Sequence, residues 1–253
     1  MKARNNSTLN DELIKNEQSD NQGEKIIKTG KRIYKAEKPN HLIQEFKSDE
    51  LLKIVDEQKA SELDELRNSI SSYLFEYLEG FHIPTHYVKK YSETKMLVKK
   101  TEILPITIRV FNTISDEILK RFGMTKVVST EYPIIEHHFN NSQNGKSWIN
   151  EYHIYAFSIA TPEEYKQMNR IASKTNAVLR SLCERRQLIL ADLQLEFGRC
   201  NDKIVIIDEL SPITCHFLDN NTEFKSKQDR FKINQENAIE AIAELNNRLL
   251  LKV

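Results

Sequence analysis

The stretch "LILADLQLEFGRCNDKIVIIDELSP", residues 188–212, limits the choice of folds more than any other part of the chain. Two apolar runs flank a short polar turn at Gly198–Asp202. Residues two apart in a strand share a face. Ile189, Ala191, Leu193, Leu195 and Phe197 therefore make one apolar face, and Asp192, Gln194 and Glu196 point the other way. The two runs read as an antiparallel hairpin. Carboxylates in half-buried strands are costly unless something pairs with them. If the strands pair about a centre near Asn201, Asp208 lies opposite Gln194 and diagonal to Glu196. Diagonal neighbours are about 7–8 Å apart, close enough for two carboxylates to share a cation. Magnesium is commonly held by one or two carboxylates plus nucleotide phosphates. The same spacing also suits the wet face of an ordinary hairpin.

The rest of the chain interleaves strand clusters with long helices, without regular βαβ alternation, so the fold class is α+β. "IIKTGKRIYKAEKPNHLIQEF" reads as strand, turn, strand, with Pro39-Asn40 as the turn. Leu63, Leu66, Ile70, Leu74 and Tyr77 recur at helical spacing, and Gly80 is a stop. "THYVKKY", "KMLVKKTEIL" and "ITIRVFN" are strand candidates. Thr161 is the N-cap of a second helix, with Pro162 at its first position and Glu164 completing a capping box. Tyr165, Met168, Ile171, Ala172, Val178, Leu179 and Leu182 form its stripe. A terminal helix from Asn234 places Ile239, Ile242 and Leu249 on one face.

Composition then excludes several classes of function. Among 253 residues, Lys+Arg and Asp+Glu both number 37, so no charge excess points to nucleic acid or an anionic membrane. No apolar run approaches the roughly 20 residues that cross a bilayer, and the start lacks the apolar segment of a signal peptide. Cys183, Cys200 and Cys215 are odd in number and lack close spacing, against a disulfide frame or zinc knuckle. A cytoplasmic protein is the plain reading. Residues 1–24 are polar without a sustained period and read as a disordered tail.

Other candidate motifs carry blander readings. His137-His138 look like a metal pair, but adjacent strand residues face opposite ways. No G-x-S-x-G frames a serine, and no P-loop sequence occurs. His86 and His153 read as hydrogen-bonded structural histidines, and Trp148 as part of a polar loop.

"KRIY", "HLIQEF", "FEYLEGFHIPTHYVKK", "MLVKK", "ILP", "ILKRFG", "PIIE", "NEYHI", "LEFGR" and "DELSP" follow one another in a single order from about residue 25 onward. In these pieces and their order the chain resembles the phosphoribosylaminoimidazole-succinocarboxamide synthase (SAICAR synthetase) family. The resemblance implies a two-lobed fold: a β-rich N-terminal nucleotide lobe over 25–100, a larger α+β lobe over 101–253, and ATP in the cleft between them. It implies an ADP-forming carbon–nitrogen ligase of purine biosynthesis that joins an aminoimidazole ribonucleotide carboxylate to aspartate. By the family's motifs, Glu196 and Asp208 hold magnesium on ATP. Lys31 corresponds to a basic residue of the nucleotide loop, and Lys99 is a second nucleotide candidate. Asn112, Arg109 and Asp229 are candidates for the substrate side. A homodimer is also implied.

The chain departs from the family at the ribonucleotide end. "PITIRVFN" has Thr107 and Phe111 where the family has Glu and Arg, and "SPITCH" has Ile213 and His216 for Asp and Arg. The family's Gly-Ser pair aligns with Asp116 and Glu117, and Gln194, Lys227, Gln228 and Ser147 replace further motif residues. A phosphate dianion favours forked, charged donors. Phe111 offers none, Glu117 repels, and His216 carries charge only when protonated. Arg109, two residues before Phe111 on the same strand face, is placed to stand in. Three readings follow: a working ligase with substituted contacts, a nucleotide-binding or regulatory relative, and a pathway remnant without catalysis.

Overall fold

The structure is a computed structural model that describes residues 19–20, 24–27, 30–48, 56–114, 116–125, 132–141, 145–221, 229–233 and 238–251. Pro39 and Asn40 turn the chain as expected, with Asn40 at φ 61°, a left-handed conformation that asparagine tolerates. The turn joins β3 (Lys31–Lys35) to β4 (His41–Phe46). With β1 (Ser19–Asp20), β2 (Glu24–Ile27), β5 (Tyr87–Lys90) and β6 (Lys95–Lys99) they form an antiparallel sheet in the order β1-β2-β3-β4-β6-β5. Strand β1, whose Ser19 pairs with Lys25, falls inside the stretch read from sequence as a disordered tail. Residues 1–18 and 21–23 of that stretch lie outside the described residues.

Helix α1 (Glu57–Gly80) follows, capped by the Asp56 carboxylate, which accepts from the N–H groups of Gln58 and Lys59. Leu63, Ile70 and Leu74 of the expected stripe are fully buried, while Leu66 and Tyr77 are partly so. The helix stops at Gly80, but His82, at φ 57°, makes the left-handed step.

"KMLVKKTEIL" is not one strand. It breaks at Lys100–Thr101, where the chain leaves the first sheet for the second. There β7 (Glu102–Phe111), β8 (Ile134–Asn141), β9 (Gly145–Ile149), β10 (Leu188–Cys200) and β11 (Lys203–Ile207) run in the order β11-β10-β7-β8-β9, and β12 (Cys215–Asp219) also pairs with β10. Short helices α2 (Asp116–Arg121) and α3 (Glu151–Ala156) lie between these strands, and the Asn150–His153 capping box starts α3. One face of the sheet packs on α4 (Pro162–Arg185), whose Thr161–Glu164 capping box forms as read from sequence. Met168, Ile171, Ala172, Leu179 and Leu182 meet Ile106, Ile108, Val110, Leu193 and Leu195 in the core. Helix α5 (Ala238–Leu250) packs on α1 through Ala238, Ala241, Ile242, Leu245 and Leu249. Ile239 is only partly buried, one position off that stripe. Among the described residues, no helix is long and apolar enough to cross a membrane.

The 188–209 hairpin is antiparallel, with its register one residue away from the expected one. Glu196 pairs with Ile207 and Cys200 with Lys203, so the centre lies between Asn201 and Asp202, both in left-handed conformations. A register shift between Leu190 and Asp192 also breaks the alternation, so Leu188 and Leu190, not Ile189, are buried beside Ala191.

Candidate functional site

The two sheets meet where β11 ends. Asp208 leaves the strand at φ 74°, a conformation that costs a non-glycine residue of order 1–3 kcal/mol and persists only when its surroundings fix it. Several contacts do so. Gln44 of β4 donates Nε2 to the Asp208 carbonyl at 3.2 Å, and the Leu210 N–H donates to Ser71 Oγ of α1 at 3.0 Å. Two residues earlier, His86 N–H donates to Ile206 O at 2.8 Å and Ile206 N–H to Pro84 O at 3.0 Å.

Charged side chains fill the space around this turn. Lys31, 2% exposed at the start of β3, donates to Asp208 Oδ1 and, at 3.0 Å, to Glu209 Oε1. Arg67, fully buried on α1, forks onto Glu209, with Nη2 2.7 Å from Oε1 and Nε 3.3 Å from Oε2. Its Nη1 donates to Ser48 Oγ at 2.9 Å, and Ser211 Oγ donates to Glu209 Oε2. Burial would raise the Glu209 carboxyl, but Arg67 and Lys31 outweigh it and hold it well below the usual carboxylate range. Burial would lower Lys31, but Asp208 and Glu209 hold it above the ordinary lysine value. Replacing such buried ion sets by apolar residues is often neutral or stabilising. Their presence argues for a role in placing charge. His86 beside them is pushed by burial down to about 3 and is neutral. Its Nε2 has no partner among the described residues, while the ring hydrogen-bonds the Asp208 backbone.

The second sheet turns its other face away from α4, and register assigns that face. Asp192, Gln194 and Glu196 of β10 stand beside Phe111, Arg109 and Thr107 of β7, and those beside Ile134, Glu136 and His138 of β8. Arg109 lies 3.4 Å from Asp192 and 4.5 Å over the Phe111 ring. Arg121 of α2 reaches the buried Glu136 and stacks on Trp148 at 4.4 Å. Trp148 belongs to β9, not to a loop. His216 is held by Asp192 at 3.3 Å through Nδ1 and by Asp229 at 2.5 Å through Nε2. Its hydrogen bond to the Asp192 carboxylate, and then that to Asp229, raises its pKa. The adjacent histidines do face opposite ways. His137 bonds Asn169 of α4 at 3.0 Å, whereas His138 approaches Glu136 at 3.3 Å.

The sequence-predicted residues thus fall into groups. Lys31 and Asp208 touch, and Glu196 lies directly across from Ile207, next to Asp208 in the chain. Arg109 and Asp229 gather at Asp192 and His216. Lys99 does not join Lys31. Register puts it on the opposite face of the first sheet, where it donates to Thr85 O at 3.1 Å and lines a cavity of about 440 Å³ with Glu79, Cys200 and Lys203. Asn112 is turned toward α4, where its Nδ2 donates to Asn176 at 2.7 Å and to Leu190 O at 3.0 Å. The Glu117 side chain, Lys227 and Gln228 lie outside the described residues. Sequence reasoning missed Arg67, Glu209, Gln44 and Ser211. Arg67 had a signal: it sits four residues after Leu63 and three before Ile70, on the buried stripe.

The family model for SAICAR synthetase matches residues 27–249. The chain belongs to the SAICAR synthetase family. It is similar to the phosphoribosylaminoimidazole-succinocarboxamide synthase of Caldanaerobacter subterraneus subsp. tengcongensis, 38% identical over 87% of this chain and 94% of that one. The corresponding Clostridium novyi protein is 36% identical over the same shares. Among solved structures, the Ehrlichia chaffeensis synthase superposes with a TM-score of 0.77 at 28% identity, covering 88% of this chain and 97% of that one. A SAICAR synthetase in complex with ADP also reaches 0.77, at 27% identity over 89% and 97%. The α+β fold with two antiparallel sheets is therefore that of SAICAR synthetases.

Proposed function

We propose that this chain is a working ATP-dependent ligase that joins the carboxylate of an aminoimidazole ribonucleotide to the amine of aspartate, releasing ADP and phosphate. The observation that carries this reading is the set of buried Lys31, Glu209 and Arg67 with the partly buried Asp208 at the junction of the two sheets. It is an expensive arrangement to bury, in a family whose relative is described with ADP. Asp208 and Glu196 are the oxygen donors magnesium prefers, and two carboxylates are the number it takes when phosphates and water complete its shell. Magnesium would supply charge neutralisation on the phosphates. Lys31, with three donors and a firmly held charge, is suited to carry a phosphate oxygen. A carboxylate is a poor target for an amine. Phosphoryl transfer from ATP to one carboxylate oxygen releases ADP and makes an acyl phosphate. The aspartate amine then attacks its acyl carbon and loses a proton, and phosphate leaves as the C–N bond forms.

On the substrate side, Arg109 and Arg121 bring two guanidinium groups to the face where Phe111 stands in place of an arginine. Arginine is the side chain best matched to phosphate and carboxylate. This supports a ligase with substituted contacts. The reading of a nucleotide-binding relative without turnover draws on His216, both of whose nitrogens are engaged by carboxylates. Magnesium, a cytoplasmic setting and a homodimer accompany the first reading by family resemblance. ADP release measured with ATP alone, then with the ribonucleotide and aspartate added, tests it. Release that requires both substrates, with formation of the amide, is the expected result. ATP binding without substrate-dependent release would favour the second reading.

A further inference from the structure

We propose that Arg67 is a positioning residue for nucleotide binding: by holding Glu209 and the Gly30 carbonyl together, it fixes the Asp208 carboxylate against the Lys31 ammonium. The inference rests on the reading of this junction as a magnesium–ATP site. Arg67 joins three segments that are far apart in sequence. It belongs to α1, its Nη2 and Nε fork onto Glu209 in the turn after β11, and its Nη1 lies 3.4 Å from Gly30 O, just before Lys31. Ser48 Oγ accepts from the same Nη1, and the guanidinium stacks 5.0 Å from the Phe46 ring, the residue paired with Lys31. A planar group with five donors does this; a lysine ammonium, a point charge on a flexible stem, does not.

The geometry shows what the fork controls. Glu209 directly follows Asp208, whose left-handed backbone needs its neighbours to hold it. Gln44 grips the Asp208 carbonyl, and the Arg67 fork, with Ser211, grips the next side chain. Gly30 and Lys31 are adjacent, so one guanidinium sets both the cationic and the anionic side of the junction. Arg67 acts through these groups.

The test is titration calorimetry of ATP at several magnesium concentrations on the full chain, comparing wild type, Arg67→Lys and Ile70→Val, with melting temperatures recorded in parallel. Ile70→Val loosens the packing of α1 without touching the fork. Loss of a residue that orients metal-binding groups typically weakens metal affinity about 10–100-fold. Arg67→Lys is expected to weaken ATP binding by about that factor and to raise the magnesium needed for half saturation, while Ile70→Val binds like wild type. Wild-type affinity in folded Arg67→Lys overturns the proposal, as does equal weakening by Ile70→Val. Should Arg67→Lys not fold, Ser48→Ala removes one acceptor and leaves the charges in place. Weaker binding by that variant supports the proposal, and unchanged binding overturns it. Failure of folded wild type to bind magnesium–ATP would instead remove the underlying functional reading, and this inference with it.

Discussion

His216 Nε2 lies 2.5 Å from Oδ1 of Asp229, so an imidazole ties β12 to the turn at 229–233 while its other nitrogen holds Asp192. Its hydrogen bonds to the carboxylates of Asp192 and Asp229 raise its pKa above the ordinary 6.5. The folded chain therefore holds this proton more tightly than the unfolded chain. The resulting stability is fully present below about pH 6.5 and is lost as pH rises through the higher folded value. Melting temperatures of wild type and His216→Gln across about pH 6 to 9 should converge toward the alkaline end. Parallel profiles would contradict the bridge.

Asp219 gives the opposite sign. Burial would raise it, but Arg248, the Asn221 N–H and Arg230 bring it from 3.8 down to about 2. Its contribution is present above the unfolded value and is lost as pH falls through the folded one. At 1.36 kcal/mol per unit, Asp219→Asn should cost about 2 kcal/mol near neutrality. Urea unfolding should show that gap narrowing between about pH 4 and 2. A gap that stays constant would count against the ion pairs joining α5 to β12.

Removing one partner of a buried ion set typically costs about 3–5 kcal/mol. Among the described residues, Arg67→Met leaves the Glu209 carboxylate with Lys31 and Ser211. At about 2–4 °C per kcal/mol for chains of this size, its melting temperature should fall by on the order of 10 °C. A fall of about 2 °C or less would mean that Glu209 finds other partners or a proton.

Gly198 lies where β10 passes the crossing between the sheets. A Cβ there would meet Glu102 O and the Thr101 Oγ1 and Cβ at 3.0 Å. Backbone does not yield cheaply, so Gly198→Ala should cost about 1–3 kcal/mol in chemical unfolding. A neutral effect would show that the crossing is pliable.

Much of the scaffold was legible because it follows from periodicity and capping. The Thr161–Glu164 box and the Met168–Leu182 stripe need only local chemistry, and both form. The hairpin was legible to within one residue. The error came from its turn, where Asn201 and Asp202 both take positive φ and move the centre half a step. The site was less legible. Asp208 was singled out by hairpin spacing and Lys31 through the family's motifs, but their contact spans 177 positions and leaves no trace in local pattern. Arg67 was hidden because a charge on an apolar stripe is usually a defect of the stripe. Its explanation, Glu209, lies 142 residues away. Lys99 shares a motif with the nucleotide region, yet strand parity turns it to the other face.

The measurement that tests the central claim most directly is the melting temperature with ATP, with and without magnesium. A ligand at a hundredfold excess over its Kd stabilises the folded state by about 2.7 kcal/mol. That should raise the melting temperature by about 5 °C or more in a chain of this size. The rise should require magnesium and should largely vanish in Glu196→Gln, Asp208→Asn and Lys31→Met. A magnesium-independent rise, or one that survives in all three variants, would contradict the placement of nucleotide at this junction. No response to millimolar ATP with magnesium would contradict nucleotide use altogether.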